Sequence, residues 1–96
     1  MRLNYTNSTI SIKRRTVTSG NKKQDSTIQS GLSAFVSDTG TTADHEQTYH
    51  IMLNADDVTS TINPDTDTIY DGTNNYKIAN AIKKTYHYSL RAIKVL

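Results

Sequence analysis

A chain of 96 residues with a formal charge of +2 makes one domain with a thin core, because short chains bury a smaller share of their surface than long ones. That excludes a large enclosed catalytic cleft, and so small a charge gives no electrostatic signature of a nucleic-acid binder. Apolar residues are only 34% of the chain, Thr and Ser together supply about a quarter, and no cysteine is present; disulfides and thiolate metal sites are excluded, and a polar, strand-rich chain is expected.

The segment after Met1 has no apolar stretch of about seven residues, and no run approaches the roughly 20 apolar residues of a membrane span. A product made in the cytosol, without membrane contact, is expected. The sequons Asn4-Tyr5-Thr6 and Asn7-Ser8-Thr9 are then read as products of an Asn/Thr-rich composition, since glycosylation needs secretion.

Thr9 to Thr18, "TISIKRRTVT", places Ile10 and Ile12 on one face before Lys13, Arg14 and Arg15 break the alternation, which predicts a strand with a bulge or an exposed end. Ser19 to Gly31 has Ile28 as its one large apolar residue, so a long solvated loop is expected there. Leu32 to Ser37, "LSAFVS", reads as a second strand, Asp38 to Gln47 as a second long loop, and Thr48 to Leu53, "TYHIML", as a third strand with Tyr49, Ile51 and Leu53 in register. In "ADDVTSTIN" the four-residue spacing of Val58 and Ile62 before Pro64 fits either one short helix or a polar crossover. "IYDGTNNYKI", Ile69 to Ile78, reads as a hairpin: Asp71-Gly72 and Asn74-Asn75 tolerate positive φ, and Tyr76 to Ile82 opens the next strand. Thr85 to Leu96 closes the chain as a strand with Tyr86, Tyr88, Leu90 and Ala92 on one face and Ile93 and Val95 on the other, predicting a register shift near Ala92.

Five to six mostly antiparallel strands with long polar loops and at most one short helix predict an all-β class, a small barrel or sandwich forming a single domain over 1–96. Residues 1–8 are read as an N-terminal arm or a frayed end.

Chemistry finds little purchase in this pattern. Counted from Asp65 as a calcium loop, position 5 is Ile69, position 6 is Tyr70 and position 12 is Tyr76, where oxygen ligands, Gly and Glu are required. His45 and His50 are five apart and His87 lies between two tyrosines, which matches no zinc spacing. Nucleophile-elbow and phosphate-loop signatures are absent, so no enzyme, no cofactor and no metal are expected. Charge is distributed more tellingly than it is summed. Asn54 to Asp71 holds Asp56, Asp57, Asp65, Asp67 and Asp71 without a cation, and Gly72 to Leu96 holds Lys77, Lys83, Lys84, Arg91 and Lys94 without an acid. That division fits either two solvated faces of a monomer or an acidic loop meeting a neighbour's basic strand.

The order "ISIKRRT", "LSAFV", "YHIML", "DTIYDGTNNYKI" and "HYSLRAIKVL" resembles the head-closure, or stopper, proteins of tailed bacteriophages, over nearly the whole chain. The resemblance implies a structural β-barrel protomer in a homo-oligomeric ring of the virion neck, assembled in the host cytoplasm. The adaptor and portal would lie above it, a tail terminator or tail tube below, and packaged DNA in the channel without sequence-specific binding. It implies a channel gate at Thr39, Gly40, Thr41, Thr42, Ala43, Asp44 and His45, with Asp44 and Glu46 repelling phosphate. Subunit or ring contacts are expected at Lys13, Arg14, Arg15, Asp56, Asp57, Asp65, Asp67, Lys83, Lys84 and Arg91. A tail terminator or another neck ring protein fits the same pattern. The competing class is a free-standing barrel binding single-stranded nucleic acid or oligosaccharide, with Tyr49, Tyr70, Tyr76, Tyr86 and Tyr88 as its stacking surface.

Overall fold

Alternating side chains make most of this chain into strand, and the strands close on themselves. The computed structural model describes residues 6–18, 22–41, 46–59 and 61–95. They form β1 (Ser8–Thr18), β2 (Lys22–Thr41), β3 (Gln47–Asn54), a 3₁₀ turn (Ala55–Asp57), β4 (Asp67–Tyr70), β5 (Asn75–Lys83) and β6 (His87–Val95). These strands close into a barrel in the order β1-β2-β3-β6-β5-β4, with every neighbouring pair antiparallel. No helix among the described residues is long and apolar enough to cross a membrane.

Closure leaves no lumen, because inward residues from all six strands fill it. Ile10 and Ile12 from β1, Leu32 and Ala34 from β2, Ile51 and Leu53 from β3, Ile69 from β4, Tyr76 and Ile78 from β5, and Tyr88, Leu90 and Ala92 from β6 are all buried. Ala55 and Ile62 of the β3–β4 connection are buried with them, so this crossover stoppers one end of the barrel. Leu90 has no exposed surface and pairs with Ile51 on one side and Ala81 on the other. Leu90→Ala is therefore expected to cost about 3 kcal/mol in a denaturant titration, since a cavity adds to the lost transfer energy. In so small a domain that is a large share of a total of about 5–15 kcal/mol.

The polar segment Ser19 to Gly31 is mostly not a loop. Lys22 onward belongs to β2, which runs 20 residues and pairs with β1 from Thr18↔Lys22 to Ser8↔Ala34; residues 19–21 lie outside the described residues. β4 reaches only Ser11 to Arg14 on the other side of β1, and β3 reaches only Ala34 to Thr41 on β2. Thus the far half of the β1–β2 hairpin stands out as a two-stranded ribbon. Backbone pairing, rather than a buried face, holds it, and a ribbon wet on both sides shows no apolar alternation. Arg15, Thr16, Ser26 and Thr27 are all exposed.

Asp38 to Thr41 is likewise strand, with Gly40↔Thr48 and Thr41↔Gln47 in the ladder. The extra residue Thr39 makes a bulge between Asp38 and Gly40, and Gly40 takes φ +111° there, a conformation that favours glycine. Bulging also explains the β1–β2 seam, where shifts fall between Ile10 and Ile12 and between Ile12 and Lys13. The register shift expected near Ala92 lies instead in β5, between Ile78 and Asn80, which pair with Ala92 and Arg91. Ala79 takes up the extra position, and β6 itself alternates without interruption through Tyr88, Leu90 and Ala92. The short helix of "ADDVTSTIN" shrinks to the 3₁₀ turn at Ala55–Asp57, and an irregular crossover follows it.

Candidate functional site

Two regions carry the barrel's polar organisation, the crossover that caps one end and the β4–β5 hairpin at the other. The crossover leans over β1 and β2. Gln29 of β2 donates from Nε2 to the Asp57 carbonyl, the Thr59 N–H donates back to Gln29 Oε1 at 3.1 Å, and Arg14 Nη2 donates to the Thr61 carbonyl at 2.9 Å. Asn63 then folds the chain into β4 as an Asx-type turn, its Oδ1 accepting from the Asp65 N–H at 3.0 Å.

Asp67 locks this turn to the ribbon base. Its carboxylate accepts from Arg14 Nε at 2.8 Å and Nη2 at 3.0 Å, from the Asn63 N–H at 2.8 Å and from Thr66 Oγ1 at 3.1 Å. Burial alone would raise the Asp67 pKa, but the hydrogen bonds from Arg14, Asn63 and Thr66 and the guanidinium charge outweigh it and hold the carboxyl below its ordinary range. Of the two residues expected to meet a neighbouring subunit, Asp67 is buried beneath the turn, while Arg14 keeps 34% of its side chain exposed. Asp67 is 1% exposed, and the bidentate pair joins β1 to β4 within one protomer. Fifty-three residues separate the partners, so charge pattern along the chain had no means of joining them.

The other expected contact residues are spread over the barrel. Asp56 and Asp65 are exposed and Asp57 half-buried on the crossover, Lys83 and Lys84 are exposed at the β5–β6 turn, and Arg91 is exposed in mid-β6. Lys13 lies over the Tyr70 ring, 4.2 Å from its centroid, and Lys83 lies 5.8 Å from the Tyr88 centroid. Arg15 anchors the ribbon by its backbone, its N–H donating to the Thr66 carbonyl at 2.8 Å.

Of the residues expected to gate a channel, Thr39, Gly40 and Thr41 are part of β2, while Thr42, Ala43, Asp44 and His45 lie outside the described residues. The gate expected as a free loop is thus paired strand in its first three positions. Thr39 and Thr48 share a 2.7 Å hydroxyl contact, and Thr48 Oγ1 donates to the Gly40 carbonyl at 3.1 Å. Asp38 Oδ1 accepts from the Gly40 N–H at 2.8 Å, and its Oδ2 accepts from Gln47 Nε2 at 2.9 Å.

At the β4–β5 hairpin, Asp71 accepts from the Thr73 N–H at 2.9 Å, the Asn74 N–H at 2.6 Å and the Tyr76 hydroxyl at 2.8 Å. Burial works against its charge, yet these hydrogen bonds prevail and its pKa falls below the ordinary value. Tyr76 shows the reciprocal effect: burial first, then the hydrogen bond and charge of Asp71, push its pKa up to about 12.

This geometry dismantles the tyrosine stacking surface. Tyr76 and Tyr88 are 3% and 5% exposed and belong to the core. Tyr49 packs edge-on against Tyr76 at 5.1 Å between centroids, and Tyr70 donates its hydroxyl to the Gly72 carbonyl under the Lys13 ammonium. Tyr86 alone among these five is largely exposed, at 55%. A platform for successive bases needs several open faces in a row, so the single-strand and oligosaccharide reading loses its supporting residues.

A groove that the sequence pattern does not announce opens where β2, β3 and β6 meet. Its volume is about 400 Å³, and it is lined by Thr39, Thr48, Tyr49, His50 and Arg91. His50 Nε2 sits 2.6 Å from Ser89 Oγ across the β3–β6 seam, a satisfied polar pair on the outward row. Strand parity could have placed His50 beside Arg91, but only the β3–β6 register, which pairs the two directly, brings them together.

No protein-family model matches the chain, and comparisons with curated proteins and with solved structures return no match either.

Proposed function

We propose that this chain is a structural subunit of a tailed-bacteriophage neck, forming a homo-oligomeric ring beneath the portal and adaptor that closes the DNA-filled head and joins it to the tail. The observation that carries this reading is the placement of charge around the barrel. In the closed order, β1 and β2 lie across from β6 and β5. The acidic crossover is tied over β1 and β2 through Gln29 and Arg14, whereas Lys83, Lys84 and Arg91 occupy β5, β6 and their turn. Acid on the crossover and base at the β5–β6 turn give one subunit two unlike surfaces, which a head-to-tail, ring-closing contact uses.

A filled barrel supports the same reading, since it leaves the outer faces and the ends to do the work. The ribbon of β1 and β2 adds an arm that reaches past the barrel wall. A tail terminator or another ring of the neck would use the same features and is the finer alternative within this reading.

Electron microscopy of particles made without this gene tests it. DNA-leaking or tailless heads beside complete free tails are expected, and normal infectious particles would overturn the neck assignment.

A further inference from the structure

The outer face of β2, β3, β6 and β5 has two adjoining rows of different character. One row runs Phe35, Met52, Ser89, Ile82 across the four strands; Phe35 and Met52 are half-buried and Ile82 is 49% exposed. The next row runs Ser37, His50, Arg91, Asn80. Arg91 thus rises at the edge of an apolar strip and beside the groove opened by the Thr39 bulge. In that groove the threonine hydroxyls are already committed: Thr48 donates to Gly40, so the short contact leaves Thr39 donating to Thr48. His50 is committed to Ser89. The exposed guanidinium of Arg91 is the charged group that the groove offers an incoming ligand. An arginine at the rim of an apolar strip is the composition of a protein contact rather than of a small-molecule site.

Apart from that groove, the turn between Asn63 and Thr66 carries half-buried Pro64 and exposed Asp65. It is held rigidly from beneath, because Asn63 Oδ1 binds the Asp65 N–H and both Thr66 and Asp67 donate to the Asn63 carbonyl at 3.2 and 2.8 Å. Its backbone is satisfied while its carboxylate faces out. The turn lines a second groove with Arg15, Lys77 and Val95 that shares no residue with the Arg91 groove, so Asp65 and Arg91 of one subunit belong to different surfaces.

We infer that the Arg91 groove receives the Pro64-Asp65 turn of a second copy of this chain, with the Asp65 carboxylate on the Arg91 guanidinium and Pro64 against the apolar strip of Phe35 and Met52. Such a contact is heterologous, so it propagates around a ring and leaves each copy with one groove and one turn engaged. It rests on the ring reading above and specifies its seam. A planar guanidinium suits the task, because it offers a fork of donors to a carboxylate.

Charge reversal separates this from any looser association. Arg91→Glu and Asp65→Lys, both at exposed positions, should each weaken self-association in sedimentation velocity by about tenfold or more, since each sets like charges together. An equimolar mixture of the two should assemble as the wild type does, because Glu grooves meet Lys turns and Arg grooves meet Asp turns. Wild-type association by either variant alone would overturn the contact, as would a mixture no better than its components, or a wild type that stays monomeric up to about 1 mM, where even a contact worth about 4 kcal/mol would show. The two proposals fail separately. Normal particles without the gene would remove the neck while leaving a restored mixture intact, and an unrestored mixture beside tailless heads would remove this seam while leaving the neck.

Discussion

Asp67→Ala is expected to lower the melting temperature by about 15 °C, corresponding to a loss of about 3 kcal/mol in a domain of this size. The side chain is 1% exposed and accepts four hydrogen bonds, two of them from Arg14 and one from the Asn63 N–H. Removing it leaves the Asn63 donor facing a cavity and frees the guanidinium that fixes Thr61, so the crossover loosens together with β4. Differential scanning calorimetry of the variant at neutral pH reads this directly. An unchanged melting temperature would show that the pair decorates a turn already held by other means.

The same residue gives the wild type an acid limb. Because the folded pKa of Asp67 is lowered, the stability it contributes is fully present above the unfolded value, about 3.9. That stability is lost as pH falls through the lower folded value. Asp67→Ala has no such contribution, so the gap between the two proteins should narrow below about pH 4.

Those two consequences depend on a pair that the linear sequence hid, and the reason is general to this fold. The β4–β5 hairpin was legible because its determinants are local: Asp71-Gly72 and Asn74-Asn75 sit between two apolar runs, and Gly72 does adopt φ +95°. The strands β3 and β6 were legible because one face of each is buried, so the alternation of Tyr49, Ile51 and Leu53 or of Tyr88, Leu90 and Ala92 records the core. The ribbon was illegible for the converse reason. Lys22 to Ser26 is strand through its ladder with β1, and a ladder leaves no mark on side-chain polarity. Likewise, the five acidic positions of Asn54 to Asp71 look equivalent in the sequence, yet Asp67 is interior, Asp71 organises a turn and Asp65 faces out. What separated them was the company each one keeps in the closed barrel, which for Asp67 is a residue on the first strand.

At the other end of the barrel the largest effect is alkaline. Tyr76 is 3% exposed and its hydroxyl donates to Asp71 at 2.8 Å, so ionising it would bury a phenolate against a carboxylate. Its pKa of about 12 in the fold stands above the unfolded value of about 10. A raised folded pKa means that the contribution is complete below the unfolded value and disappears as pH rises through the folded one. The wild type should therefore lose about 2–3 kcal/mol between pH 10 and 12 from this group. Tyr76→Phe should be less stable than the wild type at neutral pH by about 1.5–3 kcal/mol, since it gives up a hydrogen bond to a charged acceptor. The difference should close as pH climbs, because the wild type then loses what the variant never had. Tyr49, whose pKa is also raised by burial and by Asp38 and Asp71, remains in both proteins and cancels in the comparison. Paired denaturant titrations at pH 8, 10 and 12 decide the matter. A constant gap would mean that the phenol ionises as readily in the fold as in the unfolded chain, and a shrinking one would show that burial together with Asp71 holds Tyr76 neutral in the fold.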